Sequence, residues 1–259
     1  MITYSKLGRN GRLGNQMFQY AAARAASFNT NSIFAIPDNN DLIQMFNLNC
    51  KTYNLSFNLD AICRLKAFNE NGFNYNSSFN TIQDNTDLFG YFQSERYFKT
   101  IRNEILQDFT FKKEIRHKSE TFISSIRCDT RQLVSVHIRR GDYVDKQQYH
   151  PLCTPEYYRN AMQSFDNCDF VIFSDDIKWC KENLTEKQTI FSDLGEQETE
   201  LCAMTLCDHN IIANSSFSWW GAWLNTNSNK KVIAPKTWFG NNYSNLDTTD
   251  IYCENWKIL

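Results

Sequence analysis

The second half of the chain alternates short apolar runs with helical segments, and this alternation limits the fold more than any other feature of the sequence. The runs 133–138 and 169–174 are rich in β-branched and aromatic residues, as in strands that are buried on both faces of a parallel sheet. Shorter strands are predicted at 189–191, 210–213 and 231–234, with helices between them. The alternation therefore predicts a Rossmann-like α/β domain.

The first half shows a similar but weaker pattern. Phe18 and Ala22 recur at helical spacing after a short strand and a glycine-containing loop. The elements expected in this half are a strand at 1–5, a helix at 15–28, strands at 32–36 and 88–92, and helices at about 94–109 and 112–127. Residues 37–95 are otherwise rich in asparagine and aromatics and have weak periodicity. Two α/β domains are therefore expected, residues 1–129 and 130–259.

Composition excludes some classes of partner. The 259 residues carry a net charge of −2, whereas a protein that binds nucleic acid usually has a basic excess. No charged leader precedes an apolar stretch at the N-terminus, and the apolar run 217–224 is too short to span a bilayer. The nine cysteines contain no CxxC pair, which favours free thiols over a zinc site. A cytoplasmic protein without a transmembrane segment is expected, which could meet the inner face of the membrane through its substrate.

Three polar segments follow predicted strands of the second half: 137–143, 174–176 and 214–218. Because the carboxyl ends of parallel strands meet at one edge of a sheet, and ligands bind there, all three are expected on the same rim.

The first segment, His-Ile-Arg-Arg-Gly-Asp-Tyr, places two arginines directly after a buried strand. Side chains alternate along an extended chain, so His137 and Arg139 should share one face and Arg140 should point the other way. An arginine presents a planar fork of donors that suits phosphate oxygens. Asp142 is expected to hold one of the arginines. The alternative is an ion pair with a purely structural role.

The other two segments are each open to two interpretations. Asp175 and Asp176 could hydrogen-bond a nucleobase or a ribose, or could cap the helix that follows. The start of a helix at Ser215–Ser218 favours an anion by roughly 0.3–1 kcal/mol from its dipole, or it could be an ordinary serine cap. The continuation 219–224 is apolar on every side, which predicts a buried helix.

The N-terminal loop 8–16 has glycines at 8, 11 and 14 and leads into Asn15 and Gln16 at a helix start. It is neither a Walker loop nor a GxGxxG motif. Glycines that allow close backbone approach, together with neutral amides, suit a sugar or a diphosphate. No Asp-x-Asp motif of the metal-dependent transferases occurs, so no metal is expected.

Five motifs occur in a fixed order along most of the chain. They are GRLGNQMFQYA (11–21), GYFQSERYF (90–98), HIRRGDY (137–143), FSDD (173–176) and NSSFSWWGAWL (214–224). Together they resemble the bacterial branch of the α-1,2-fucosyltransferase family. The resemblance implies a GT-B-like α/β fold, in which two Rossmann-like domains face each other across a cleft. Residues 1–129 would be the acceptor side, and residues 130–259 would bind the GDP-sugar.

The resemblance also implies an activity. L-Fucose would move from GDP-β-L-fucose, with inversion, to the 2-hydroxyl of a terminal galactose in an oligosaccharide or glycolipid, without a cofactor or divalent metal. A transferase for another GDP-sugar and a non-catalytic nucleotide- or glycan-binding module are the alternatives.

Residue roles follow from the resemblance position by position. The donor-binding set would be His137 and Arg139 at the nucleotide and phosphates, Arg140 and Asp142 holding that loop, Asp175 or Asp176 at the guanine or ribose, Ser215, Ser216, Phe217 and Ser218 at the diphosphate, and Gly14, Asn15 and Gln16 lining the cleft. Arg139 is the first catalytic candidate and Asp142 the second. The general base stays open among Asp142, Asp145, His150 and Glu156.

Overall fold

The computed structural model describes residues 1–185 and 188–259. The chain divides into two compact units, Met1–Lys112 with Leu246–Cys253, and Lys113–Asn245 with Glu254–Leu259. This division comes earlier than the boundary expected at 129/130, because the helix that begins at Lys113 packs within the second unit.

The first unit contains helices and parallel strands in alternation. Its strands are β1 (Ile2–Thr3), β2 (Ala35–Pro37), β3 (Lys51–Tyr53), β4 (Lys66–Asn69) and β5 (Thr86–Phe89). Its helices are α1 (Leu13–Thr30), α2 (Leu42–Met45), α3 (Leu55–Ile62) and α4 (Arg102–Asp108), with 3-10 turns at Ser77–Thr81, Glu95–Tyr97, Lys99–Ile101 and Thr249–Ile251. The strands form one parallel sheet in the order β1-β5-β4 and a parallel pair β2-β3.

Helix α1 is longer than the predicted 15–28. Phe18, Ala22 and Ala25 are fully buried along its inner face. The helix ends where Asn31 takes a left-handed conformation, with φ of 51°, and its N–H bonds back to carbonyls of the last turn. Asparagine tolerates this conformation better than most residues, so it is a natural helix end.

The predictions for 88–92 and 94–109 differ most from the structure of this unit. The strand expected at 88–92 ends at Phe89, because Gly90 and Phe92 have φ of 153° and 53° and cannot continue it. The single helix expected at 94–109 is two 3-10 turns followed by α4.

The second unit contains a parallel sheet flanked by helices. Its strands are β6 (Gln132–Ile138), β7 (Cys168–Ser174), β8 (Thr189–Phe191), β9 (His209–Ile211), β10 (Val232–Ala234) and β11 (Lys257–Ile258). Its helices are α5 (Lys113–Ile126), α6 (Pro155–Met162), α7 (Ile177–Asn183), α8 (Gln197–Thr205) and α9 (Ser216–Leu224), with 3-10 turns at Gly141–Tyr143 and Asn241–Tyr243. Within the described ranges the strand order is β11-β10-β9-β6-β7-β8, and every pair is parallel.

Contacts in the core of the second unit explain why helix α5 belongs to it. In α5, the Ser119 hydroxyl donates to the Thr199 carbonyl of α8 at 2.8 Å, and Ile123 packs against Val171 and neighbouring apolar residues. The segment 219–224 of helix α9 is buried on all sides, as predicted, with its tryptophans at most 2% exposed. The nine cysteines are free thiols. Over the described ranges, no helix combines the length and the apolarity needed to cross a membrane.

Candidate functional site

The three polar segments meet at the carboxyl edge of the second sheet, as predicted. Strand β6 lies between β7 and β9, and His137 and Ile138 stand beside Phe173 and Ser174 in the parallel register. Since both strands end at the same level, the segments that follow them leave the sheet together. The segment after β9 reaches the same place, because the Phe217 ring lies 5.3 Å from the His137 ring.

Arg139 is the centre of this cluster. Its Nη2 lies 2.5 Å from Asp142 Oδ1, and its Nη1 lies 2.6 Å from Asp175 Oδ2. Its guanidinium also sits 5.2 Å above the Tyr143 ring. The side chain is 19% exposed, so it is fixed by three contacts yet can still be reached by a ligand. A guanidinium has five N–H donors, and these two ion pairs engage only part of that set.

Arg140 faces a different set of partners, as side-chain alternation predicted. Its Nε lies 3.0 Å from Asp176 Oδ2, and its guanidinium stacks 4.0 Å above the Trp179 ring. Asp176 also accepts the Trp179 N–H at the start of α7. The hydrogen bond from Arg140, and then the Trp179 N–H, lower the pKa of Asp176. Asp176 therefore caps helix α7 and also pairs with Arg140 at the rim of the sheet. Of the two interpretations from the sequence, the helix cap is present in the structure.

Gly141 allows Asp175 to approach the arginine segment. Its φ is 21°, and a Cβ at this position would lie 2.5 Å from Asp175 Oδ2. Asp175 Oδ1 accepts the backbone N–H of Arg140 at 2.8 Å. A larger residue at 141 would displace the carboxylate that holds Arg139.

His137 is buried at the carboxyl end of strand β6 and is uncharged. Burial, and then the charge of Arg139, lower its pKa to about 3. Its Nδ1 is buried without a hydrogen-bond partner among residues 1–185 and 188–259. A neutral imidazole contributes one donor and one acceptor rather than charge. Any contribution of His137 to a nucleotide is therefore a hydrogen bond.

The start of α9 is a source of backbone N–H donors. Ser215 stands at the N-cap position, but its side chain makes no capping hydrogen bond, which contradicts the interpretation as an ordinary serine cap. The first N–H groups of a helix lack intrahelical acceptors. Ser216 and Phe217 are partly exposed, whereas Ser218 is fully buried and its hydroxyl donates to the Ala213 and Ser215 carbonyls. Ser218 can thus meet an anion only through its backbone.

The segments around α9 and Arg139 are tied together. The Asn214 side chain donates to the carbonyls of Pro151 and Trp238 at 2.9 and 3.0 Å. The Tyr143 hydroxyl donates to the Asn214 carbonyl at 3.4 Å. These bonds hold the loop after β6 against the turn that begins α9.

Gly14, Asn15 and Gln16 lie in the first unit, in the first turn of α1. Gln16 is buried and its Nε2 donates to Asp41 Oδ2 at 2.7 Å. Asn15 is half-buried and its Oδ1 accepts from Gln93 Nε2 at 2.7 Å. Their expected role at the donor stays a prediction, like the roles of the other site residues.

Sequence reasoning missed Glu200 on α8. Burial, and then the charge of Asp175, raise its pKa to about 7, while a hydrogen bond from Ser192 opposes the shift. The sequence shows only a carboxylate within a predicted helix, whereas its burial between Thr199 and Leu201 is seen in the structure. The proximity to Asp175 could not be read from local spacing.

The four candidates for a general base differ in environment. Asp142 is engaged by Arg139 and by Lys146 at 3.4 Å, whereas Asp145 and Glu156 are exposed. His150 is half-buried and stacks on the Tyr143 ring at 4.7 Å. Burial lowers its pKa, so its imidazole is neutral at pH 7. In the described part of the chain no group of His, Cys, Asp and Glu side chains is placed to hold a metal.

Known proteins resemble the chain along nearly its whole length. It is 33% identical to an alpha-1,2-colitosyltransferase of Escherichia coli, over 95% of each chain. It is 27% identical to galactoside alpha-(1,2)-fucosyltransferase 1 of Homo sapiens, over 83% of this chain and 64% of that protein.

The fold has a counterpart among solved structures. NodZ alpha-1,6-fucosyltransferase from Bradyrhizobium, in crystals soaked with GDP-fucose, superposes with a TM-score of 0.55 at 11% identity, over 86% of this chain and 92% of that one. The expected GT-B-like α/β fold class is thereby confirmed.

The family model described as "Glycosyl transferase family 11" matches residues 3–259. The chain is therefore a glycosyltransferase that belongs to glycosyl transferase family 11, and the resemblance to α-1,2-fucosyltransferases indicated by its motifs is confirmed.

Proposed function

We propose that this glycosyltransferase moves L-fucose from GDP-β-L-fucose, with inversion, to the 2-hydroxyl of a terminal galactose in a glycan. The observation that carries the proposal is the position of Arg139, held between Asp142 and Asp175 beside the start of α9. Relatives named as α-1,2-colitosyl- and galactoside α-(1,2)-fucosyltransferases support the linkage and the acceptor class.

The chemistry demands stabilisation of a leaving group. As the acceptor hydroxyl attacks the anomeric carbon, the bond to the diphosphate breaks and negative charge grows on GDP. Donors fixed in advance and aimed at that charge are usually the largest catalytic contribution. Arg139 and the first N–H groups of α9 are such donors, since ion pairs and helix geometry fix both of them before a ligand arrives.

Net charge cannot attract the diphosphate to this rim. Arg139 and Arg140 are matched by three carboxylates, from Asp142, Asp175 and Asp176. The cluster therefore carries an excess negative charge before Lys146 is counted. Affinity for the donor must come from directed N–H groups, which fits arginines whose planes are fixed by carboxylates and by the rings of Tyr143 and Trp179.

One observation supports a second candidate donor, GDP-colitose. The relative that is 33% identical is named a colitosyltransferase, and colitose is fucose without its 3-hydroxyl. A site that hydrogen-bonds a substrate hydroxyl rejects the analogue lacking it by ~10⁴–10⁵. Comparison of kcat/KM for GDP-fucose and GDP-colitose therefore decides between the two sugars.

The deciding experiment is mass spectrometry of products from GDP-fucose with a panel of galactosides. A product heavier by one deoxyhexose, with the linkage at the galactose 2-hydroxyl, is the expected result. Donor binding without turnover on any galactoside would instead favour a non-catalytic nucleotide-binding module. Reaction in the cytoplasm is part of the proposal, supported by nine free thiols. The acceptor could be a glycolipid at the inner membrane face.

A further inference from the structure

The loop at residues 90–93, in the second motif of the family resemblance, has an unusual backbone. Gly90 has φ of 153° and Phe92 has φ of 53°. A positive φ is a genuine outlier for a bulky residue such as phenylalanine. Such conformations persist only where surrounding structure holds them, and they concentrate at functional sites.

A partly buried carboxylate, that of Glu70, accepts hydrogen bonds from this 90–93 loop. Glu70 Oε2 accepts the backbone N–H groups of Tyr91 and Phe92 at 2.7 and 2.8 Å. A Cβ at Gly90 would lie 2.4 Å from Glu70 Cβ, so glycine is required for the carboxylate to reach this position. From the other side, the Tyr4 hydroxyl donates to the Gly90 carbonyl at 2.7 Å.

With this backbone conformation, the Phe92 side chain lies in the core and the Tyr91 side chain is exposed. The Phe92 ring is fully buried among aromatic rings, with Tyr97 at 5.1 Å. Tyr91 is 36% exposed, and its ring is nearly parallel to that of Phe73, at an interplanar angle of 14°. The loop thus presents one flat aromatic surface to solvent, while its neighbour is fixed in the core.

Neutral amides surround the buried side of the loop. Gln93 Nε2 donates to Asn15 Oδ1, and Gln19 Nε2 donates to the Asn10 carbonyl at 2.8 Å. The Oε1 atoms of Gln93 and Gln19 are buried without a hydrogen-bond partner within the described residues, although these side chains are 7% and 0% exposed. A buried polar atom without a hydrogen-bond partner costs free energy in the folded protein, and such atoms are uncommon.

We propose that the 90–93 loop is the acceptor-binding element, with Tyr91 as the platform for the apolar face of a pyranose ring and Glu70 as the residue that positions it. An exposed aromatic ring suits a neutral ligand that offers C–H groups on one face. The proposal rests on the proposed function for the choice of galactoside, but it concerns residues of the first unit alone.

Glu70 acts through the loop backbone rather than on the sugar itself. Glu70→Gln keeps a carbonyl oxygen that can accept the two N–H groups, whereas Glu70→Ala leaves both without an acceptor. The KM for the acceptor should therefore rise in Glu70→Ala and return towards the wild-type value in Glu70→Gln, with the KM for the donor unchanged in both.

The test measures glycan binding and turnover separately on the full chain. Saturation-transfer NMR titration with lactose, without donor, is expected to show about tenfold weaker binding for Tyr91→Ala, equivalent to about 1.4 kcal/mol, and near-normal binding for Tyr91→Phe. Steady-state transfer to lactose should show the same rise in acceptor KM, with the GDP-fucose KM within about twofold. Phe28→Ala, at an exposed aromatic of the same unit, should change neither.

The outcomes separate the two proposals. A folded Tyr91→Ala variant that binds lactose like the wild type overturns the acceptor loop, whatever the donor. Lactose binding that depends on Tyr91, in a protein without turnover of GDP-fucose, supports the loop and counts against the proposed donor. A rise in donor KM equal to the rise in acceptor KM also overturns the assignment, because it indicates a general structural defect.

Discussion

Replacement of Arg139 by alanine tests the donor site most directly. The substitution removes a group that contacts both Asp142 and Asp175, at 2.5 and 2.6 Å. If the guanidinium stabilises the departing diphosphate, turnover should fall by at least ~10²-fold, the usual loss for one preorganised donor, or about 2.7 kcal/mol. The measurement is kcat with GDP-fucose at saturating acceptor.

The same change has a cost in stability that must be separated from catalysis. Asp142 keeps Lys146 at 3.4 Å, and Asp175 keeps the Arg140 N–H at 2.8 Å. Because neither carboxylate is left without a partner, the free energy of unfolding should fall by about 1–3 kcal/mol, rather than by the larger cost of an isolated buried charge. Thermal denaturation of the variant measures this loss.

Arg131 offers a matched control. Its Nε lies 3.0 Å from Asp169 Oδ1, and its side chain is 25% exposed, close to the value for Arg139. It precedes β6, at the opposite end of the strand from the site. Arg131→Ala should therefore lower stability to a similar extent and leave kcat unchanged. Near-normal turnover in a folded Arg139→Ala variant, or an equal loss of kcat in Arg131→Ala, would refute the reasoning.

Three further predictions follow from the same geometry. Gly141→Ala should raise the KM for the donor about tenfold, because its Cβ would lie 2.5 Å from Asp175 Oδ2 and displace it; donor titration against wild type checks this. Donor affinity should weaken as pH rises through about 7, where Glu200 ionises beside Asp175, and Glu200→Gln should abolish that step. Because the pKa of Glu200 is raised in the folded protein, the free energy of unfolding should fall as pH rises from the ordinary Glu pKa of 4.5 towards 7. The Glu200→Gln variant should lack this slope in denaturant titrations. Turnover should persist undiminished in excess EDTA, and its abolition would contradict the metal-free mechanism.

The sequence predicted the rim of the second sheet because its strands are buried on both faces. Strand β6 begins at Gln132, one residue before the predicted run 133–138, and ends at Ile138 as expected. Such a continuous apolar run is typical of a strand buried in a parallel sheet. Once two parallel strands are known, the segments after them must share an edge, so Arg139 and Asp175 are expected in the same region. The ion pair between them was not predicted.

The short strands of the first unit could not be predicted in the same way. In β3 and β4 most residues are exposed, so no apolar period marks them. Their positions are fixed by backbone pairing with β2 and β5, which depends on distant segments of the chain. Strand β11, of two exposed residues, was missed for the same reason. Local periodicity reports burial, and strands without burial leave no such signal.

The function of Asp142 depends on which groups contact its carboxylate, and the spacing of residues in the sequence does not show this. A general base needs an oxygen directed at the acceptor hydroxyl. In the structure, Oδ1 of Asp142 meets Arg139 and Oδ2 meets Lys146, so each oxygen already faces a cation. We therefore expect Asp142 to orient the Arg139 guanidinium rather than to accept the proton of the acceptor hydroxyl. His150 is then a candidate for the base, because its half-buried ring stacks on Tyr143 and burial lowers its pKa, which favours the neutral imidazole that can accept a proton.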